Sequence, residues 1–213
     1  MIESIKFDNY DSYLDLGLYL DSYDDDVPDQ VRSSIDIPGK NGVLDTTYFL
    51  DKEPKFKNRK IRFSFVSKRK DYDNHLSEIM DKIHAREMII KPFYREGFHL
   101  TGNVSVSKSS DKGLRGQTVT VTCDCYPFYL RNEKTVVERT VNGNMDLTLS
   151  NGRSWQVPMI TSSSTMVLTF EGRQYSINAS DGAYYDIVLK SGANKISIKG
   201  TGNIRFEYQE EYL

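Results

Sequence analysis

Apolar and polar residues alternate with period two in short blocks along this chain, interrupted once by a period close to that of a helix. The clearest alternations place Ile61, Phe63 and Phe65 on one face of an extended segment, and Val119, Val121 and Cys123 on one face of another. With weaker blocks of the same kind they predict strands over residues 2–7, 31–37, 46–50, 60–66, 88–93, 98–107 and 117–125. Between the fourth and fifth of these, Tyr72, Leu76, Ile79, Met80 and Ile83 form one apolar stripe at helical spacing. Asp71 or Asp73 can cap the start of that helix, and Lys82, His84 and Arg86 suit the negative end of its dipole. A helix between strands has to bury its stripe on a sheet. The first part of the chain therefore reads as an α+β domain, a β-sandwich or split barrel with one helix.

The last part reads differently. Asn142-Gly143, Asn151-Gly152, Ser162-Ser163-Ser164, Glu171-Gly172, Asp181-Gly182, Ser191-Gly192 and Gly200-Thr201-Gly202 recur every nine or ten residues. Alternating segments such as 166–170 and 195–199 lie between them. Gly and Asn tolerate the positive φ of tight hairpins, so the pattern predicts successive hairpins in an all-β sandwich. The spacing repeats but the sequence does not, which argues against a solenoid. The polar junction Arg131-Asn132-Glu133-Lys134-Thr135 follows the turn-prone Cys125-Tyr126-Pro127, giving two domains, 1–131 and 132–213, in a mainly β protein.

Composition narrows the classes. The 213 residues carry 28 Lys+Arg against 30 Asp+Glu, so no global field points to nucleic acid or an anionic membrane. Hydrophobic and aromatic fractions of 38% and 12% exclude a disordered chain. Fourteen Tyr and ten Phe against one Trp suit strands, and equally suit subunit interfaces. No apolar run exceeds three residues, so neither a transmembrane helix nor a signal peptide is expected, and synthesis and folding are expected in a cytoplasm. Cys123 and Cys125 stand two apart on one strand, where a bridge would strain the disulfide; reduced, packed thiols are expected.

Catalytic chemistry has little support. His75 and His84 fall on opposite sides of the helix, His99 is remote in sequence, and no nucleophile elbow, phosphate loop or zinc-binding arrangement occurs. No enzyme activity, cofactor or metal is expected. The acidic stretch from Asp21 to Asp29 has Pro28 where a calcium loop needs an oxygen ligand and Asp29 where it needs glycine, and reads as a solvated loop. Lys55, Lys57, Arg59, Lys60, Arg62, Lys68, Arg69 and Lys70 form a basic counterpart. Alternation sends Phe63 and Phe65 inward and Lys60 and Arg62 outward, and no groove-reading helix accompanies the charge, so sequence-specific nucleic-acid binding is not expected. One protomer's acidic loop meeting another's basic strand would instead give salt-sensitive self-association. Trp155 is the candidate contact for a partner or a glycan, set against a place in the sandwich core or an interface.

Two landmarks carry a family resemblance. Asp36-Ile37-Pro38-Gly39-Lys40-Asn41-Gly42 leads into Tyr48-Phe49-Leu50, then Asn58-Arg59-Lys60-Ile61-Arg62-Phe63-Ser64-Phe65 and the helix. Near the end, Ser191-Gly192-Ala193-Asn194-Lys195-Ile196-Ser197-Ile198 precedes Gly200-Thr201-Gly202-Asn203-Ile204-Arg205-Phe206-Glu207-Tyr208. In the order of these elements the chain resembles the distal tail proteins (Dit) of long-tailed, non-contractile phages and prophages of Gram-positive bacteria. The resemblance implies a structural protein of the virion, at the distal end of the tail. It implies a homohexameric ring formed by the first domain, a hub between the tail tube protein and a tail-associated lysin or tail-tip protein. A galectin-like C-terminal sandwich would project outward and could carry receptor-binding proteins. Within 213 residues there is no room for an inserted carbohydrate-binding module, so the short form is implied. Gln156-Val157-Pro158 follows Trp155 where galectins have Glu and Arg sugar contacts. Residues 38–45 (Pro38, Gly39, Lys40, Asn41, Gly42, Val43, Leu44 and Asp45) are the candidate inter-subunit arm, with an ordinary surface hairpin as the plainer reading. A carbohydrate-binding adhesion module acting through the sandwich is the alternative function.

Overall fold

The structure, a computed structural model, describes residues 3–49, 53–113 and 116–213, and its contacts divide the chain into two units, Met1–Tyr129 with Leu213, and Leu130–Tyr212. The architecture is mainly β, with one α-helix among the described residues. The first unit contains β1 (Lys6–Phe7), β2 (Tyr10–Asp11), β3 (Leu18–Asp25), β4 (Ser34–Asp36), β5 (Val43–Asp45), β6 (Arg59–Ser67), α1 (Tyr72–Ile83), β7 (Arg86–Lys91), β8 (Phe98–Gly113) and β9 (Gly116–Cys125). Seven of these strands lie in one sheet in the order β2-β1-β7-β8-β9-β6-β3, each neighbour antiparallel.

The period-two faces in β6 and β9 become the floor of the core. Ile61, Phe63, Phe65, Val119, Val121 and Cys123 are all buried, and α1 lays Tyr72, Ile79 and Ile83 on them. Removing each of those large side chains from water contributes roughly 1.5–3 kcal/mol, which is why the alternation holds the register. Cys123 and Cys125 are free and buried on that face. Asp71 occupies the N-cap position of α1 but makes no side-chain cap. Its carboxylate accepts from Arg69 Nε and Nη2 at 3.0 and 2.6 Å, the stronger charge-assisted alternative. At the other end Arg86 donates to the Asp81 carbonyl at 2.8 Å, as the dipole favours.

Some predicted strands are displaced. The first is only Lys6–Phe7, the second only Ser34–Asp36, and the segment predicted over 46–50 is a turn as far as Phe49. There the Asp45 carboxylate accepts from the Thr47 amide at 2.9 Å and Thr46 N–H donates to Ser33 O, which folds the chain back. Residues 2 and 50 lie outside the described residues. The acidic stretch read as a loop begins as β3, an edge strand paired with β6.

β10 (Tyr129–Arg131) leads into the second unit, with β11 (Thr135–Asn151), β12 (Met159–Ser162), β13 (Met166–Phe170), β14 (Arg173–Ile177), β15 (Asp181–Ala183), β16 (Gly192–Tyr208) and β17 (Glu211–Tyr212). β11 and β16 are each 17 residues long and pair from Thr135↔Tyr208 to Asn151↔Gly192. The other edge of β16 is shared: β13 takes Ile196–Lys199 and β12 takes Ile204–Glu207. The handover falls at Gly200-Thr201-Gly202. Gly202 has φ +138°, and a Cβ there would stand 2.5 Å from Ser163 Oγ. Sandwich corners are made by strands that bend from one partner to the next, and this bend admits no side chain. Ile160, Leu168, Ile198, Ile204 and Phe206 are among the buried core.

The evenly spaced turn signals are thus only partly turns. Glu171-Gly172 is a two-residue hairpin with φ of +49° and +78°, and the serines at 163–164 also form a connection. Asn142-Gly143 and Gly200-Thr201-Gly202 lie inside the long ribbon, and Asp181-Gly182 lies in β15.

Candidate functional site

β4 and β5 form a two-stranded sheet of their own, registered Ser34↔Asp45, Ile35↔Leu44 and Asp36↔Val43. The tip is built by its sequence. Lys40 N–H donates to Ile37 O across Pro38-Gly39, with Gly39 at φ +78°, the backbone of a type II turn with Pro and Gly in their preferred places. The base is tied by Val31 N–H to Lys55 O and Lys57 N–H to Asp29 O, both at 2.8 Å. Gln30 Nε2 donates to the Tyr48 hydroxyl at 2.6 Å.

Every residue proposed for the arm lies on this hairpin: Pro38, Gly39, Lys40, Asn41 and Gly42 in the tip, Val43, Leu44 and Asp45 in β5. The sequence reading missed that its apolar side chains are uncovered. Phe49 is 67%, Val43 61% and Ile35 55% exposed, and Ile37, Leu44 and Tyr48 are exposed with them. Six large apolar side chains are thus exposed along one hairpin and its flank, a denser grouping than single scattered residues. A signal was present in the sequence: apolar residues crowd both flanks of a Pro-Gly turn. The Asp45 carboxyl is held below its ordinary range by the Thr47 hydroxyl and amide.

The acidic and basic segments meet inside one chain. Asp24 is opposite Arg62 and Asp25 opposite Ile61 in the β3–β6 ladder, Lys57 is 3.7 Å from Asp29, and Arg59 Nη1 is 2.7 Å from Asp25 Oδ1. Lys57 and Arg59, two of the eight basic residues, thus find their acidic partners within the chain. Arg59 is buried, and its Nε donates to Pro127 O at 3.1 Å. The Tyr129 and Tyr94 hydroxyls donate to Asp25 Oδ2 at 2.5 and 3.2 Å. Burial pushes both phenols well above their ordinary range, and the hydrogen bond to Asp25 adds to it.

His75 and His84 are held by hydrogen bonds to the scaffold. His75 is buried, with Nε2 2.7 Å from Leu16 O and Nδ1 2.8 Å from Ser67 Oγ, and His84 Nδ1 accepts from Val106 N–H at 2.9 Å. Among the described residues no three His, Cys, Asp or Glu side chains converge on a metal position, and no helix is long and apolar enough to cross a membrane.

In the second unit Trp155 is half-buried, in a loop held by Gln156 and Leu189 exchanging backbone hydrogen bonds at 3.0 and 2.8 Å. The Lys190 ammonium lies 5.8 Å from its ring centroid and is also paired with Glu171. A cation over the ring occupies space that a stacked sugar would need. The polar concavity of this unit is elsewhere: a groove of about 460 Å³ across β11, β16 and β12, lined by Glu138, Thr140, Thr161, Ser163, Asn203 and Arg205.

No protein-family model and no curated protein matches the chain. Its fold does have a counterpart among solved structures. The chain matches the crystal structure of SPP1 Dit (gp 19.1), described as a paradigm of the hub adsorption apparatus in phages infecting Gram-positive bacteria. The match has a TM-score of 0.72 at 13% identity and covers 100% of both chains.

Proposed function

We propose that this protein is a structural hub subunit at the distal end of a phage tail. In this reading residues 1–131 close as six copies into a ring between the tail tube protein and a tail-tip or tail-associated lysin protein. Residues 132–213 form the outward, galectin-like part and offer a surface to receptor-binding proteins. The protein resides in the virion and catalyses nothing. The observation that carries the reading is the apolar hairpin of β4 and β5. A two-stranded ribbon is marginal in water by itself, and this one leaves its large side chains uncovered; a second copy of the chain is the natural cover. Fold likeness to SPP1 Dit over both whole chains supports it. The test is the mass of the purified chain by light scattering, with negative-stain imaging, beside a Val43→Asp, Leu44→Asp variant. A six-fold ring lost in the variant, at unchanged circular dichroism, is expected. A variant that assembles as well as the parent would remove the hairpin from the interface.

The groove of β11, β16 and β12 favours a second reading, glycan binding by the sandwich. Hydroxyl, amide, carboxylate and guanidinium groups there match vicinal sugar hydroxyls. Binding of host cell-wall polysaccharide that is lost in Asn203→Ala but kept in Trp155→Ala would support it; equal loss in both would not.

A further inference from the structure

Three Asn-Gly pairs occur in the chain, at 41–42, 142–143 and 151–152. In such a pair the glycine amide nitrogen can attack the asparagine Cγ, because no Cβ on glycine obstructs the approach. The bond from Cγ to the side-chain nitrogen breaks, ammonia leaves, and a five-membered imide remains. Water opens it at either carbonyl, giving aspartate or isoaspartate. Only water is consumed. The requirement is geometric: the glycine amide and the asparagine side chain must both be free to turn toward each other.

The fold sorts the three pairs. Asn151 is buried; its Nδ2 donates to Ser154 O and Leu189 O at 2.8 and 2.9 Å, and its Oδ1 accepts from Gly152 N–H at 2.8 Å. Electrophile and nucleophile are both tied. Asn142 and Gly143 are held mid-ribbon, opposite Thr201 and Gly200, with paired residues on both sides. Asn41 and Gly42 lie beyond the last rung of the hairpin, Asp36↔Val43, and both are exposed. A Cβ on Gly42 would meet nothing within 4 Å. Among the described residues none hydrogen-bonds to the Asn41 side chain or the Gly42 amide.

We propose that Asn41-Gly42 is a self-modification site, at which the folded protein loses the Asn41 amide while Asn142 and Asn151 are kept. The product places a new carboxylate beside Lys40 at the hairpin tip, and the isoaspartate form lengthens the main chain there. If the hairpin is the assembly contact proposed above, on which this consequence rests, association declines with the age of the protein.

The test is incubation of the full chain in mildly alkaline buffer, followed by peptide mass analysis and isoaspartate detection. In the folded protein Asn41 should convert at least about tenfold faster than Asn142 or Asn151, since those react only from locally opened states. In denaturant the three rates should converge. Equal rates in the folded protein, or an Asn41 that stays intact while the denatured chain reacts, would overturn the proposal. Two samples separate the readings, Asn41→Asp for the new charge and aged parent protein for the isoaspartate: normal association in both, with Asn41 conversion observed in the parent, would sink the assembly consequence and leave the chemistry standing.

Discussion

Arg59 and Asp25 form a buried ion pair, Nη1 to Oδ1 at 2.7 Å, with side chains only 3% and 16% exposed. It joins the start of β6 to the end of the edge strand β3, and two tyrosine hydroxyls complete the carboxylate. Breaking such a pair from one side leaves a desolvated charge. Asp25→Ala should therefore cost about 3–5 kcal/mol in urea unfolding, and adding Arg59→Met should recover part of it. Two single variants within about 0.5 kcal/mol of the parent would show that the pair is solvated in solution.

Self-association through the hairpin should survive salt. The proposed contact is apolar, with Ile35, Val43 and Leu44 exposed on it, and Arg59 already has its acidic partner within the chain. Exposed charge pairs fade over a Debye length of about 8 Å at physiological ionic strength, whereas apolar burial is maintained or strengthened by excluded salts. Oligomer mass measured from dilute to molar sodium sulfate should hold; dissociation would return the interface to charge pairing.

Glu210 gives the second unit an acid-sensitive contribution. Burial raises its carboxyl, but hydrogen bonds from the Thr135 and Tyr212 hydroxyls and the Arg131 guanidinium, 3.0 Å away, outweigh this and hold it below the ordinary 4.5. As pH falls the unfolded chain takes up this proton first. The stabilisation is thus complete above 4.5 and is lost as pH drops through the lower folded value. The stability gap between the parent and Glu210→Gln should be flat at neutral pH and close on acidification. A gap independent of pH would exclude the linkage.

Gly202→Ala should destabilise the second unit by about 1–3 kcal/mol, from overpacking against Ser163 and Ser164 and from the unfavourable φ. The fluorescence of Trp155, the chain's one tryptophan, reports that transition. Pairing Gly202→Ala with Ser163→Gly should recover part of the loss, because it removes the nearest obstructing atom; no recovery would assign the cost to backbone strain alone.

Legibility in the sequence followed the physics of burial. Ile61, Phe63 and Phe65 announced β6, and the stripe from Tyr72 to Ile83 announced α1, because one buried face dictates one period. β3 was hidden because its outer half, Asp21 to Asp25, is edge strand matched to basic neighbours rather than to a core. Asn142-Gly143 misled in the opposite way: glycine marks any departure from ordinary backbone, and a bend within a strand uses the same residue as a turn between two. Arg59 looked like one more surface cation, since nothing in its neighbours tells that Asp25 and Pro127 will close over it. The exposure of Phe49 and Val43 was legible only in the structure, where β4 and β5 pair with each other alone among the described residues.

The long ribbon gives the second unit a mechanical property. Its rungs run across the two strands, so tension pulling β11 and β16 past each other loads them in parallel and nothing peels open one bond at a time. Because β16 is bonded in turn to β13 and to β12, the same pull is passed to both of these strands. Resistance to shear along that axis should greatly exceed resistance to unzipping across it.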